Sequence, residues 1–176
     1  MKSKLTIIKI GGNVIDNEQE LQKVLESFST LDGAKILIHG GGKIATEVSA
    51  KLGIETKMHE GRRITTKETI DVVTMVYAGL INKKVVAQLQ KNNCNAIGLS
   101  GADINTILAE KRPSNPIDFG YVGDVKKVNA TGIEALLSNG ITPIFCAISH
   151  DGQGELLNTN ADTIASEIAI AMSEVY

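Results

Sequence analysis

The sequence predicts an α/β fold centred on a parallel sheet. Two observations carry that prediction. Within the first 53 residues the pattern strand, glycine, helix occurs twice. Further on, "NAIGLSG" and "ITPIFCAI" supply two more strand-length apolar runs separated from each other by a helical pattern. Alternation of buried strands with helices is the signature of parallel pairing.

"LTIIKI" (5–10) reads as a buried strand that stops at Gly11 and Gly12. From Glu18 to Phe28, Leu21, Val24, Leu25 and Phe28 recur at the helical period. "KILIH" (35–39) is the second strand. It runs into Gly40, Gly41 and Gly42, after which Ile44, Val48 and Leu52 line one face of a helix. "GRRITTKETIDVV" opens a long helix, with Thr65 and Glu68 at capping-box spacing. Ile70, Val73, Tyr77, Leu80, Ile81, Val85 and Leu89 form its apolar face. Gly79 lies inside this helix at a propensity cost of roughly 1 kcal/mol, which a close helix contact would explain. "ILAEKRP" and "IDFGYVGDVKKVN" read as short strands and a hairpin. "ATGIEALLSNG" is a short helix with a second capping box, Thr131 and Glu134, closed by Gly140. "SHDGQGELLNTNAD" is a polar connection into a last helical pattern that runs to Tyr176 without a stop signal.

Composition narrows the function classes. The chain has 176 residues, 43% of them hydrophobic and 22% charged, as expected of a soluble globular protein with one substantial core. Lysines and arginines number 18 against 20 aspartates and glutamates, so no basic excess argues for nucleic acid. Cys94 and Cys146 are the only cysteines, and their spacing fits neither a zinc site nor a redox pair. They read as buried hydrophobes in a reducing, cytoplasmic compartment. The opening "MKSKLTIIKIGG" lacks a signal-peptide pattern, and no apolar run is long enough for a membrane span. His39, His59 and His150 show no metal-ligand spacing.

The glycines carry the functional argument. Neither the dinucleotide fingerprint nor the P-loop pattern is met: Gly42 and Lys43 are followed by Ile44, and Ile38 stands where the first P-loop glycine belongs. The underlying physics still applies. Backbone N–H groups between a strand end and a helix start bind anions without side chains. The chain offers this twice, at Gly11–Gly12 and at Gly40–Gly42, so two turns on adjacent strands can face one polyanion; tight packing is the alternative. Lys9 lies in an apolar strand directly before the first turn, where its ammonium either meets an anion or snorkels from an edge strand. Arg62 and Arg63 precede the long helix, and either could offer a carboxylate a guanidinium fork. Asn160 suits a helix N-cap and Asp162 the first turn. Asn158 has no required helical role, so a ligand contact is open to it.

At these residues the chain resembles the acetylglutamate kinase family of the amino acid kinase superfamily. The matching stretches are "IIKIGGNVI", "ILIHGGGKIATE", "EGRRITTKETIDVV", "YAGLINKKVVAQL", "AIGLSGAD", "GYVGDV" and "LLNTNADTIA", in family order across essentially the whole chain. The resemblance implies a three-layer αβα sandwich of the amino acid kinase type with its C-terminal part missing. Residues 1–155 would form an N-terminal lobe that binds the acyl-amino acid and dimerises, and 156–176 would begin the ATP-binding lobe. It further implies transfer of the ATP γ-phosphoryl group to the side-chain carboxylate of N-acetyl-L-glutamate, the second step of arginine biosynthesis. ATP and Mg²⁺ would be required, the ion resting largely on the phosphates. Lys9 would contact the phosphoryl group in flight and Asp162 would organise the catalytic lysines. Gly11 and Gly12 would line the phosphate channel, and Gly41 and Gly42 would bind the substrate by offering backbone donors. Arg63, assisted by Asn158, would hold the substrate. The assembly would be a homodimer, with neither nucleic acid nor membrane as partner.

The chemistry agrees with the residues present. A side-chain carboxylate is ionised at neutral pH, with a reference pKa of about 4.3, and needs no general base. The task is to hold two anions together and stabilise charge on the transferring group. Alternatives are a related kinase acting on N-succinyl-L-glutamate or another amino acid-like carboxylate, and a non-catalytic ligand-sensing subunit.

Overall fold

The computed structural model describes residues 4–176. The first three residues of the "MKSKLTIIKI" opening lie outside the described residues.

The chain begins with β1 (Leu5–Ile10), α1 (Gly12–Asp16), α2 (Glu18–Ser29), β2 (Ala34–His39) and α3 (Gly42–Lys51). A hairpin of β3 (Lys57–His59) and β4 (Arg62–Ile64) leads to α4 (Lys67–Thr74). A π-helical segment (Met75–Ile81) joins α4 to α5 (Asn82–Lys91). Then come β5 (Ala96–Leu99), β6 (Ile107–Lys111), β7 (Gly123–Val128), α6 (Ala130–Ser138) and β8 (Thr142–Cys146). The last elements are β9 (Ile148–His150), β10 (Leu156–Asn158) and α7 (Ala161–Met172).

The central sheet has the order β1-β2-β8-β5, and every pair in it is parallel. The period-2 alternation of strand side chains divides the core in two. Leu37 and Ile144 face α2, α4, the π segment and α5, where Leu25, Phe28, Val85 and Leu89 close the layer. Ile36, Ile38 and Phe145 face the opposite way, onto Ile133 of α6 and Ile164, Ile168 and Met172 of α7. Helices therefore cover both faces, which gives the predicted three-layer sandwich. A second sheet, β10-β9-β6-β7, is mixed.

Four local expectations are corrected. The stretch 149–162, read as a polar connection, supplies part of β9 and all of β10, because Leu157 is buried and pairs with Ser149 across the turn. The 57–64 stretch is a β-hairpin, and the N-cap of α4 is Thr66, whose hydroxyl accepts from the Thr69 amide at 3.2 Å. Thr65 is instead fully buried and bridges chain segments: its amide donates to the Phe119 carbonyl, and its own carbonyl accepts from the Tyr121 amide. The capping-box spacing was off by one because two threonines compete for the role. At α6 the cap is Asn129, which accepts from the Gly132 amide at 3.1 Å, and not Thr131. Finally, the long helix is not α-helical throughout. The i→i+5 bonds of the π segment widen its turn and shift its facing. Leu80, read as part of the inner stripe, is 44% exposed, whereas Asn82 is turned inward and buried. An added Cβ at Gly79 would meet nothing within 4 Å, so no contact within the chain explains that glycine.

The cap correction is testable. Asn129→Ala removes the cap bond and a second bond to the Ile104 carbonyl, and is expected to cost about 1 kcal/mol or more. Thr131→Ala, at an exposed position, is expected to change stability by less than about 0.5 kcal/mol. Denaturant midpoints compare the two.

Candidate active site

Parallel strands direct their carboxyl ends to one edge, and ligands bind in the crevice outside it. Here a cleft of about 450 Å³ opens beyond the ends of β1 and β2. Its walls include Gly11, Gly12, Gly40, Gly41 and Gly42, so both glycine turns face one space as the sequence predicts. The ten-residue α3 begins at Gly42, leaving its first amides without intrahelical partners. α7 also starts at the cleft, capped by Asn160, which accepts from the Thr163 amide at 3.0 Å.

Gly41 shows why side chains are excluded. Its φ is +151°, and a Cβ there would lie 2.1 Å from Ile81 Cδ1 and 3.1 Å from the Tyr77 ring. The turn is packed directly onto the π segment.

Lys9 shares a strand face with Ile7, opposite to Ile8 and Ile10, and its ammonium reaches the cleft. β1 is an edge strand among the described residues, but the lysine is not merely snorkelling. Its Nζ pairs with Asp162 Oδ1 at 2.8 Å and stands 4.0 Å from where a Gly11 Cβ would be. Lys9 on β1 and Asp162 on the first turn of α7 are thus brought together from sequence positions far apart. The ion pair is open to solvent on the Asp162 side, which is 70% exposed, so its role is orientation more than stability.

Of the two candidate arginines, Arg63 is the one buried, at 8% exposure. Its Nη2 donates to the Gly42 carbonyl and to Thr46 Oγ1, each at 2.8 Å, and its Nη1 donates to Thr56 Oγ1 at 3.2 Å. It therefore buttresses the second glycine turn while lining the cleft. A guanidinium has five N–H donors, so three bonds leave capacity for a ligand. Arg62 is exposed and also lines the cleft. Asn158 borders it from β10, donating to Thr65 Oγ1 at 3.1 Å.

The structure adds wall residues not anticipated from the sequence. Arg112 lines the cleft, held by a two-point pair with Asp124 in which Nε donates to Oδ2 at 3.1 Å. Hydrogen bonding to Arg112 holds the Asp124 carboxyl below its ordinary range. Met58 of the β3–β4 hairpin, Tyr77 and Thr159 complete the enclosure. Burial raises the Tyr77 phenol above its ordinary value, so it presents a neutral hydroxyl. Only the hairpin had a sequence signal, a glycine (Gly61) beside two strand-length fragments. Arg112 had none, because its partner lies on another strand.

The summed walls are cationic: Lys9, Arg62, Arg63 and Arg112 against Asp162. Among the described residues no cluster of three His, Cys, Asp or Glu gathers to hold a metal. Cys94 and Cys146 are free and buried, and burial pushes the Cys146 thiol up to about 12, which leaves it unreactive. No helix among the described residues is long and apolar enough to cross a membrane. A cationic cleft beyond strand ends, walled by two glycine turns, has the electrostatics to attract anions.

Known proteins agree with this geometry. Residues 4–173 match the model of the amino acid kinase family. The chain is 60% identical over 174 residues to an acetylglutamate kinase of Cytophaga hutchinsonii, covering 98% of this chain and 66% of that one. It is 54% identical to that of Phocaeicola vulgatus, over 100% of this chain and 68% of that one. A Methanopyrus kandleri acetylglutamate kinase is 41% identical, at 96% and 67% coverage. The chain thus spans about two thirds of the length of these relatives. Among solved structures, a Streptococcus mutans UA159 protein superposes with a TM-score of 0.81 at 25% identity, over 96% of this chain and 69% of that one. N-acetylglutamate synthase from Neisseria gonorrhoeae gives 0.80 at 18% identity, over 96% and 39%, a likeness of fold. With glycine turns, lysine and arginine where the sequence places them and a family match along nearly its whole length, the chain belongs to the amino acid kinase family, in its acetylglutamate kinase branch.

Proposed function

We propose that the full-length protein transfers the γ-phosphoryl group of ATP to the side-chain carboxylate of N-acetyl-L-glutamate, a reaction that belongs to arginine biosynthesis. The observation that carries this reading is the convergence of two glycine turns and Lys9 on one cationic cleft. In the reaction a carboxylate oxygen attacks the γ-phosphorus, the bond to the β–γ bridging oxygen breaks, and ADP leaves with that electron pair. The product is an acyl phosphate. No proton moves in this step.

Each residue has a role in that step. Gly11 and Gly12 line the phosphate channel, and Gly41 and Gly42 donate backbone amides where the bound acyl-glutamate meets the transferring phosphoryl oxygens. Lys9 stabilises charge on the transferring group and Asp162 orients it. Arg63 and Asn158 hold the acyl-glutamate, and the exposed Met58 offers apolar surface beside it. Among the described residues on the cleft walls, Asp162 is the sole acidic one and is engaged with Lys9. The ion enters with the phosphates of ATP. Residues 1–155 form the acyl-amino-acid lobe in this reading, and 156–176 begin the nucleotide lobe. A cytoplasmic location fits two free buried cysteines.

We also propose a homodimer through the π segment. Met75 is 56% exposed and Leu80 44%, and they flank Gly79, whose open side admits a second helix closely. A two-fold contact would bring this helix against its copy.

Full-length variants test the site. Lys9→Ala is expected to lower kcat by about 10²-fold or more, the scale lost with one transition-state donor, while leaving the thermal midpoint near wild type. Arg63→Lys keeps charge but loses the fork. It should raise KM for N-acetyl-L-glutamate about tenfold or more, with a smaller rise for ATP through the loosened Gly42 turn. Near-wild-type turnover of Lys9→Ala, or an Arg63→Lys effect confined to ATP, would overturn the respective role.

Sedimentation equilibrium tests the assembly. The wild type should sediment as a dimer at micromolar concentration, and Leu80→Arg should shift it toward monomer. A wild-type monomer would contradict the interface.

A further inference from the structure

His39 ends β2 with no exposed surface. An isoleucine or leucine would fill that place at no polar cost, and the neighbouring strand positions are apolar. The imidazole is instead bonded on both edges. Nδ1 lies 2.9 Å from the carbonyl oxygen of Gly40, and Nε2 lies 3.1 Å from Asn82 Nδ2. Asn82, at the junction of the π segment and α5, is itself buried.

The orientation of the Asn82 amide follows from its other partners. Its Nδ2 donates to the Ile144 carbonyl at 2.9 Å, and its Oδ1 accepts from the Lys83 ammonium at 3.2 Å. Flipping the amide would set oxygen against carbonyl oxygen and NH₂ against an ammonium. The NH₂ group therefore faces the imidazole, and Nε2 must accept. That fixes the proton on Nδ1, which donates to Gly40. The ring is neutral by geometry. Burial, with the nearby Lys83 charge, lowers its pKa to about 4 against the opposing pull of the Gly40 carbonyl.

We propose that His39 and Asn82 form a positioning relay that fixes the Gly40 carbonyl, and through it aims the amides of Gly41 and Gly42 at phosphate. The inference deepens the phosphoryl-transfer reading and rests on it. The chain of bonds runs from Lys83 and Asn82 on the helix, through His39, to the turn. Lys83 also donates to the Gly98 carbonyl of β5 at 3.1 Å. The neighbouring strand makes room for the relay: a Cβ at Gly98 would lie 1.8 Å from Asn82 Oδ1. Ile81, the residue before Asn82, packs onto Gly41. Steric and hydrogen-bonding support thus reach the turn from consecutive residues of one helix.

Two substitutions separate the relay from mere core filling. His39→Asn places an amide NH₂ near the Nδ1 position and keeps the donor to Gly40. His39→Gln is closer in volume to histidine and reaches Asn82, but lacks that donor. In the full-length protein the relay predicts that His39→Gln lowers kcat/KM for ATP about tenfold or more, the effect of one lost hydrogen bond with displaced catalytic groups. KM for N-acetyl-L-glutamate should change less than about threefold. His39→Asn should retain the greater part of the ATP parameter despite the cavity it leaves. The reverse order, with His39→Asn the worse, would show that volume alone matters and would overturn the relay. Imidazole ¹⁵N spectra of the wild type give an activity-independent readout. The relay requires a neutral His39 ring protonated on Nδ1 at pH 6, and a proton on Nε2 would overturn it whether or not either variant folds. A wild type without ATP-dependent phosphorylation of N-acetyl-L-glutamate would refute the kinase reading alone, leaving the ring protonation to decide the relay's geometry.

Discussion

The site depends on how closely the Gly40–Gly42 turn lies against the helix beneath it. A Cβ at Gly41 would stand 2.1 Å from Ile81 Cδ1, so no other residue fits without moving one of the two. That approach sets the start of α3, hence where its free amides point. It also explains the use of three glycines, where one would turn the corner. Gly40 presents the carbonyl that His39 holds, Gly41 supplies the positive φ and the close approach, and Gly42 opens the helix while its carbonyl receives Arg63. The second glycine turn, Gly11–Gly12, needs no such packing: an added Cβ at Gly12 would meet nothing within 4 Å. Its freedom is left for a ligand.

Around this turn, Lys9, Arg63 and Arg112 are each held in place by a partner. Lys9 keeps its charge beside a largely exposed carboxylate. Arg63 is tied to a backbone carbonyl and two threonine hydroxyls, which fix its plane and leave its charge unneutralised. Arg112, like Lys9, is matched by a carboxylate, that of Asp124. Such preorganisation suits a reaction whose difficulty is mutual repulsion of two anions, since donors already in place need no rearrangement as charge builds.

The strands of the central sheet, most helices and both glycine turns were legible in the sequence because each rests on local apolar periodicity or on glycine punctuation, whereas the short strands β3, β4, β9 and β10 are too brief to show a period. So was Lys9, a single charge within an apolar run. Its pairing with Asp162 was not fixed by the sequence, since nothing in spacing reports a contact between β1 and α7. Three features escaped for distinct physical reasons. The π segment keeps an apolar composition, so an α-period reads it as continuous while its facing shifts, which is how Leu80 was placed inside. The caps at α4 and α6 moved because adjacent Thr and Asn residues all qualify, and tertiary demands on Thr65 decided between them. His39 was read only as lacking metal-ligand spacing, because its partner Asn82 is distant in sequence and its own neighbours are apolar.

The central claim is that the glycine turns are a phosphate cradle. It is tested most directly by titrating ¹⁵N-labelled full-length protein with a non-hydrolysable ATP analogue and following assigned glycine amides. The account predicts that Gly11, Gly12, Gly41 and Gly42 shift together and saturate at one ligand concentration, while Gly53 and Gly140, remote from the cleft, stay in place. Saturable binding that leaves those four amides unmoved would contradict it.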